Sequence, residues 1–175
     1  MRKMMFIGGI HGVGKTSLCK DLSNFFNIPH FSASKLISEE KAEVYSRNKL
    51  ITDINTNQDF LSASLNRLSI NGWFLLDGHF CLLNQESKIT RIPFDTFRAI
   101  SPKTIIVLTD SISSVQERFF QRDNYQFDYR LLQSFQREEV KYAEEVSSEL
   151  GIPMITVQAG DITTIHRFIE EHTSQ

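Results

Sequence analysis

Eight consecutive residues, Gly9-Ile10-His11-Gly12-Val13-Gly14-Lys15-Thr16, constrain this chain more than any other stretch. An apolar run, Met4 to Gly8, precedes them and reads as a strand. Lys15 to Phe26 follows as a helix, with Leu18, Cys19, Leu22, Phe25 and Phe26 at helical spacing. Glycine at 9, 12 and 14 lets the connecting backbone curl with its N–H groups inward, which makes a concave nest for an anion. The helix starting near Lys15 turns its positive end to the same point. The stretch fits G-x-x-x-x-G-K-[ST] at every fixed position, and the strand before it and the helix after it are the context that pattern requires.

Short apolar runs go on alternating with amphipathic ones. Pro29-His30-Phe31 reads as a second strand and Ser34 to Ser46 as a helix. Gln58 to Ile70 reads as another helix, with Leu61, Leu65 and Leu68 on one face, stopped by Asn71-Gly72. Trp73 to Leu76 and Thr104 to Leu108 are continuous apolar runs, as strands buried on both faces require. Phe80 to Pro93 suggests a small hairpin around Asn84-Gln85-Glu86-Ser87. Helices are expected from Ser111 to Gln121, from beyond Tyr129 to Leu150, and from Asp161 to Glu171, with a last strand at Pro153 to Val157. This alternation predicts an α/β fold of three layers, a parallel sheet with helices on both faces. No repeat or linker interrupts it, so residues 1–175 are read as one domain. Ligands of such sheets bind beyond the carboxyl ends of the strands. Those ends carry Gly9, Ser32, Asp77, Asp110 and Gln158.

Composition narrows the partners. A hydrophobic fraction of 41% with 14 Phe indicates a packed globular chain. A formal net charge of -2, without a basic block, gives no reason to expect nucleic acid or an anionic membrane as the main partner. The apolar run after Met1-Arg2-Lys3 is far too short for a signal peptide, and no stretch approaches membrane-spanning length. Cys19 and Cys81 have neither metal nor disulfide spacing, and Cys19 falls on an apolar helix face. The reading is a buried thiol in a cytoplasmic protein.

The loop chemistry assigns roles. Backbone amides of Gly9, Gly12, Val13 and Gly14 cradle phosphate, together with those leading into Lys15, Thr16 and Ser17. Lys15 supplies a mobile cation at the β and γ phosphates, and the Thr16 hydroxyl a ligand for Mg²⁺. His11 sits at a variable position within this nucleotide-contacting loop, where facing solvent is the plainer role. Four apolar residues followed by Asp77 match a second nucleotide-site strand. Its terminal acid either contacts Mg²⁺ through water or accepts a proton from the incoming nucleophile. His79 is a weaker candidate for substrate contact. Arg118 and Arg122 are four apart near a helix end, beside the polar stretch Asp123 to Asp128 with Arg130 just beyond. A mobile lid delivering these arginines would stabilise charge developing on a transferring phosphoryl group. Glu138 and Glu139 are expected at the surface of the returning helix, and Asp110 and Asp161 as helix caps. Gln158-Ala159-Gly160 is a candidate floor under a nucleobase.

With G-I-H-G-V-G-K-T, the buried L-L-D-G-H and R-F-F-Q-R-D placed, the chain resembles the nucleoside and nucleotide kinases among P-loop proteins. It is most similar to archaeal-type and nuclear-type adenylate kinase-like small kinases, over nearly its whole length. The resemblance implies a five-stranded parallel core, an acceptor-binding segment at about residues 32–70, a short lid at about 122–129, and ATP with Mg²⁺ as phosphoryl donor. It assigns Asp77 as the family acid and Arg118 and Arg122 as the lid arginines. Adenylate kinases hold the acceptor phosphate with an arginine after the second helix; Thr52 to Asp59 has none here, though Arg47 and Arg67 flank it. That departure favours a nucleoside, another hydroxyl or a macromolecular target over a nucleoside monophosphate. The expectation is an ATP-dependent kinase acting on a small-molecule acceptor, catalysed by Lys15, Asp77, Arg118 and Arg122. The alternative is a slow ATPase switch acting through a protein or ribonucleoprotein partner. No N-K-x-D element or D-x-x-G switch supports a GTPase.

Overall fold

The computed structural model describes residues 2–47, 57–84 and 86–173. In chain order the elements are β1 (Arg2–Gly8), α1 (Lys15–Phe26), β2 (His30–Ser32), α2 (Ala33–Arg47), α3 (Asn57–Arg67), β3 (Gly72–Asp77), β4 (Cys81–Leu83), β5 (Ile89–Arg91), α4 (Phe94–Ile100), β6 (Thr104–Thr109), α5 (Ile112–Asp123), α6 (Tyr129–Leu150), β7 (Met154–Gln158) and α7 (Ile162–Thr173).

Five strands form a parallel sheet in the order β2-β3-β1-β6-β7, and β4 and β5 form a separate antiparallel pair. Met4, Met5, Phe6 and Ile7 point alternately to opposite faces, yet all four are buried. Both faces of β1 are therefore covered, and the same holds for Phe74 to Leu76 and Ile105 to Leu108. On α1 the buried positions are Lys15, Leu18, Cys19 and Leu22, and Asn27 in a left-handed conformation ends the helix. Asp128 caps α6 by accepting from the Leu131 amide at 2.8 Å, and Gly151 (φ 62°) closes it. Asp161 caps α7 through the Thr164 amide.

Register decides where the site forms. Ile7 lies beside Asp77 and Ile106, while Ser32 lies beside the same Asp77. The carboxyl ends of β1, β2, β3 and β6 thus reach one edge together.

The parallel core and the hairpin at residues 81–91 agree with the sequence reading. Helix α4 was not foreseen. It is only 7 residues long, too short for a periodic signal, and it forms because Phe97 and Ile100 drop into the core. Of the acceptor segment, residues 48–56 lie outside the described residues, including Thr52 to Thr56. Among the described residues, no helix is long and apolar enough to cross a membrane.

Candidate active site

The glycine loop turns as its residue types require. Gly9 passes so near β6 that a Cβ there would meet the Leu108 carbonyl oxygen at 2.6 Å, in a conformation (φ 145°) that L side chains avoid. Gly14 (φ 103°) is the N-cap of α1. Val13 is buried, so its share of the loop is its backbone. Lys15 folds back beneath the loop, only 7% exposed, and its Nζ donates to the carbonyls of Gly9 (2.6 Å) and Ile10 (3.0 Å). Burial pushes its pKa down to about 8, although the charges of Glu139 and Asp77 act to hold the proton.

Glu139 overturns an expectation. Placed at the surface by the sequence reading, it is 0% exposed. Its Oε1 accepts from the amides of Gly9 (3.0 Å) and Phe80 (2.9 Å), and its Oε2 from Cys81 (2.7 Å). One carboxylate on α6 therefore ties the phosphate loop to the turn after β3. Burial raises its pKa, while the three amides and Lys15 pull the other way. A signal existed: Leu132, Phe135, Tyr142, Ala143 and Val146 make the buried stripe of α6, and Glu139 falls on it. Glu138 does reach the surface, where Arg91 holds it at 2.6 Å and pairs with Glu145 as well.

Asp77 ends β3 and is 6% exposed. Its Oδ2 accepts a hydrogen bond from His30 Nε2, 2.6 Å away on the neighbouring strand β2. Sequence reasoning missed this pairing, because 47 positions separate the partners. His11 is exposed, as the plainer reading had it, and its ring lies over that of His79, with centroids 4.0 Å apart. Burial first, then the charges of Lys15 and His11, push the His79 pKa down to about 2. That imidazole stays neutral at ordinary pH.

Arg118 donates from Nη1 to the Gly12 carbonyl at 2.8 Å and pairs through Nη2 with Asp110. It thus stands on the body of α5, anchored to the loop. Asp110 is no cap: Ser111 caps α5 through the Ser114 amide, and Asp110 holds Arg118 instead. Arg122, one turn on, is bonded to Asp123 through Nε and Nη2.

Around these groups lies an open cavity of about 500 Å³. His11, Gly12, Gly14, Lys15, Thr16, Ser17, Asp77, Arg118 and Arg122 all line it, so α1, β3 and α5 present their candidates to one space. Gly9 and Val13 sit behind that wall. A second cavity of about 530 Å³ adjoins it, mostly apolar, with Phe6, Ala33, Ile37, Leu61, Ile92 and Phe97 in its walls. Ser34, Asp77 and His79 line both. Hard oxygen donors (the Thr16 and Ser17 hydroxyls and the Asp77 carboxylate) face the first cavity, a donor set suited to Mg²⁺.

A family profile described as "AAA domain" matches residues 8–136, well over half of the chain and inclusive of the glycine loop, Asp77, Arg118 and Arg122. Human adenylate kinase isoenzyme 5 is 28% identical over 130 residues, which is 69% of this chain and 22% of that protein. Its mouse counterpart is 26% identical over the same shares. The chain spans about a fifth of the length of these curated relatives. In fold it is similar to a gluconokinase from Sinorhizobium meliloti 1021, with a TM-score of 0.53 and 16% identity, covering 98% of this chain and 90% of that one. An uncharacterized protein from Eubacterium ventriosum ATCC 27560 matches at a TM-score of 0.53 and 13% identity over 99% of each chain. With the loop motif, the strand order and the profile in agreement, this chain belongs to the AAA domain family.

Proposed function

We propose that the chain transfers the γ-phosphoryl group of ATP to a hydroxyl of a small acceptor. One observation carries this reading: Asp77 lines both a polar cavity ringed by Lys15, Arg118 and Arg122 and an apolar cavity beside it. A group that must meet donor and acceptor together belongs at such a junction.

The polyphosphate lies along the loop amides, and a phosphate oxygen takes over contacts that Lys15 makes with the carbonyls of Gly9 and Ile10. The Thr16 hydroxyl and the Asp77 carboxylate are the groups that would hold Mg²⁺, which would supply charge neutralisation at the phosphates. His30 engages one Asp77 oxygen and so orients the other toward the acceptor. Asp77 then takes the acceptor's hydroxyl proton as the new P–O bond forms and the bond to the β–γ bridging oxygen breaks, releasing ADP. Arg118, preset by Asp110 and the Gly12 carbonyl, and Arg122 neutralise charge gathering on the equatorial oxygens. The lid, at about residues 122–129 and spanning the junction of α5 and α6, is the segment that closes over the donor. Gln158-Ala159-Gly160, at the end of β7 and just beyond it, offers a floor for the base.

The acceptor side favours an uncharged molecule. Arg67 pairs with Glu40 and Glu43. Arg91, on the second cavity, is held by Glu138 and Glu145, leaving Lys41 as the other cation in that lining. Apolar walls beside a single lysine suit a nucleoside or similar hydroxyl compound better than a nucleoside monophosphate.

The test is ATP and Mg²⁺ with a panel of nucleosides, nucleoside monophosphates and no acceptor. ADP should form only with an acceptor, and fastest with an uncharged one. Equal rates in every tube would overturn transfer in favour of an ATPase switch.

A further inference from the structure

Among the described residues, one set of three donors of metal-ligand type converges: the Cys19 thiol on α1, the His30 imidazole on β2 and the Asp77 carboxylate on β3. Their ligand atoms all lie within 4.8 Å of one another. We propose that these three side chains bind zinc, or a similarly borderline-soft divalent cation, and that an occupied site withdraws Asp77 from phosphoryl transfer. The inhibitory half rests on the role given to Asp77 above; the metal site does not.

The donor types select the ion. Thiolate and imidazole are poor partners for magnesium and good ones for zinc. Zinc bonds of about 2.0–2.3 Å in a tetrahedron set ligand atoms roughly 3.2–3.8 Å apart. The cluster, with all its ligand atoms already within 4.8 Å of one another, reaches that spacing once the His30–Asp77 pair, now at 2.6 Å, opens. Burial separates this trio from an ordinary surface cluster: Cys19 is 0% exposed, Asp77 6%, and His30 half-buried. Three neighbouring elements deliver the donors, so their meeting belongs to the packed core and not to one flexible loop. Asp77 also faces the first cavity, which gives an ion a route from solvent and leaves a fourth position for water.

The balance closes without a co-reactant. Burial raises the Cys19 pKa, so sulfur starts as a thiol. On binding, the S–H bond breaks, its proton leaves to solvent, and the sulfur electron pair forms the Zn–S bond. A thiolate, a carboxylate and Zn²⁺ then sum to neutral beside the Lys15 cation. A carboxylate bound to Zn²⁺ shares its charge with the ion and is no longer free to take a hydroxyl proton, which is how an occupied site withdraws Asp77.

Metal-free protein titrated with Co²⁺ tests the site directly. A thiolate-to-cobalt charge-transfer band in the near ultraviolet, with intense tetrahedral visible absorption, should saturate near one equivalent and vanish on adding Zn²⁺. Cys19→Ser and Cys19→Ala should lack the band. Loss of an outer-shell partner alone costs 10–100-fold in metal affinity, so loss of this ligand should weaken zinc about 100-fold or more. No such band in the wild type overturns the site, whatever the kinase assays give. Phosphoryl transfer tests the inhibitory half: half-inhibition by Zn²⁺ should need about 100-fold more metal in Cys19→Ser, whose zinc-free rate matches wild type. Equal zinc sensitivity overturns inhibition through Asp77. If the chain transfers no phosphoryl group at all, the inhibitory half falls with that function, and the cobalt spectrum still decides the site.

Discussion

Two cavities of almost equal size, about 500 and 530 Å³, share Ser34, Asp77 and His79 and differ in the rest of their linings. The first is polar and is built around a continuous motif, Gly9 to Thr16. The second is apolar and gathered from β1, α2, α3, α4 and the turn after β5. On the proposed function, the contrast follows from what each would recognise. A polyphosphate is met by backbone amides and one cation, which a short glycine-rich turn can supply by itself. An uncharged acceptor is met by shape, and shape comes from elements brought together by folding.

Lys15→Ala should break the polar side most severely. Transfer should fall by about 10³-fold or more in kcat/KM, because the mobile cation at the phosphates is gone. Circular dichroism should not change, since the substitution removes a buried charge from the fold. Near-normal turnover would remove Lys15 from the mechanism.

Glu139→Gln asks whether the two cavities share one strut. The amide NH₂ would point a donor at an amide N–H that the carboxylate now satisfies, either at Cys81 or at Gly9 and Phe80. We expect a loss of about 3 kcal/mol in stability, read from the urea midpoint, and weaker nucleotide binding through the freed loop. An unchanged midpoint would show that the loop holds its shape unaided.

The depressed pKa of Lys15 yields paired pH effects of opposite sign. Nucleotide phosphates favour the protonated amine, which the free protein loses above about pH 8. Affinity for ATP should therefore fall as pH rises past 8, by up to about tenfold per unit. Stability of the free protein should rise across the window from about 8 to the ordinary 10.5, where the unfolded chain binds the proton and the fold does not. Calorimetric titration and urea melts at several pH values check both, with Lys15→Ala as the reference lacking each trend. Flat profiles would mean that another group governs the site.

The smallest effect belongs to the apolar side. Ile37→Ala trims a half-buried wall of the second cavity. It should raise KM for the acceptor about fivefold and leave KM for ATP alone. Equal shifts in both would show that the cavities do not divide the substrates.

Much of this was legible along the chain. The phosphate loop declared itself because its signal is local, with residue types fixed at fixed spacing between a strand and a helix. The core strands showed as apolar runs because strands covered on both faces admit little else. Cys19 was read as buried from helical spacing, and it is. Asp77 was found because it ends such a run.

Other features waited for tertiary contact. Helix α4 is held by Phe97 and Ile100 in the core, not by any propensity of its own 7 residues. Glu139 and Asp110 looked like a surface acid and a cap; only the packing of α6 and α5 made one a strut and the other an anchor for Arg118. His30 and Asp77, 47 positions apart, meet because strand order seats β2 beside β3. The amino-acid sequence by itself determined the strand–loop–helix unit and the concave glycine turn within it, since both rest on neighbouring residues and backbone geometry. The tertiary structure decided which distant charges face each other and which side chains line the second cavity. Sheet register and helix packing set those distances, and no local pattern encodes them.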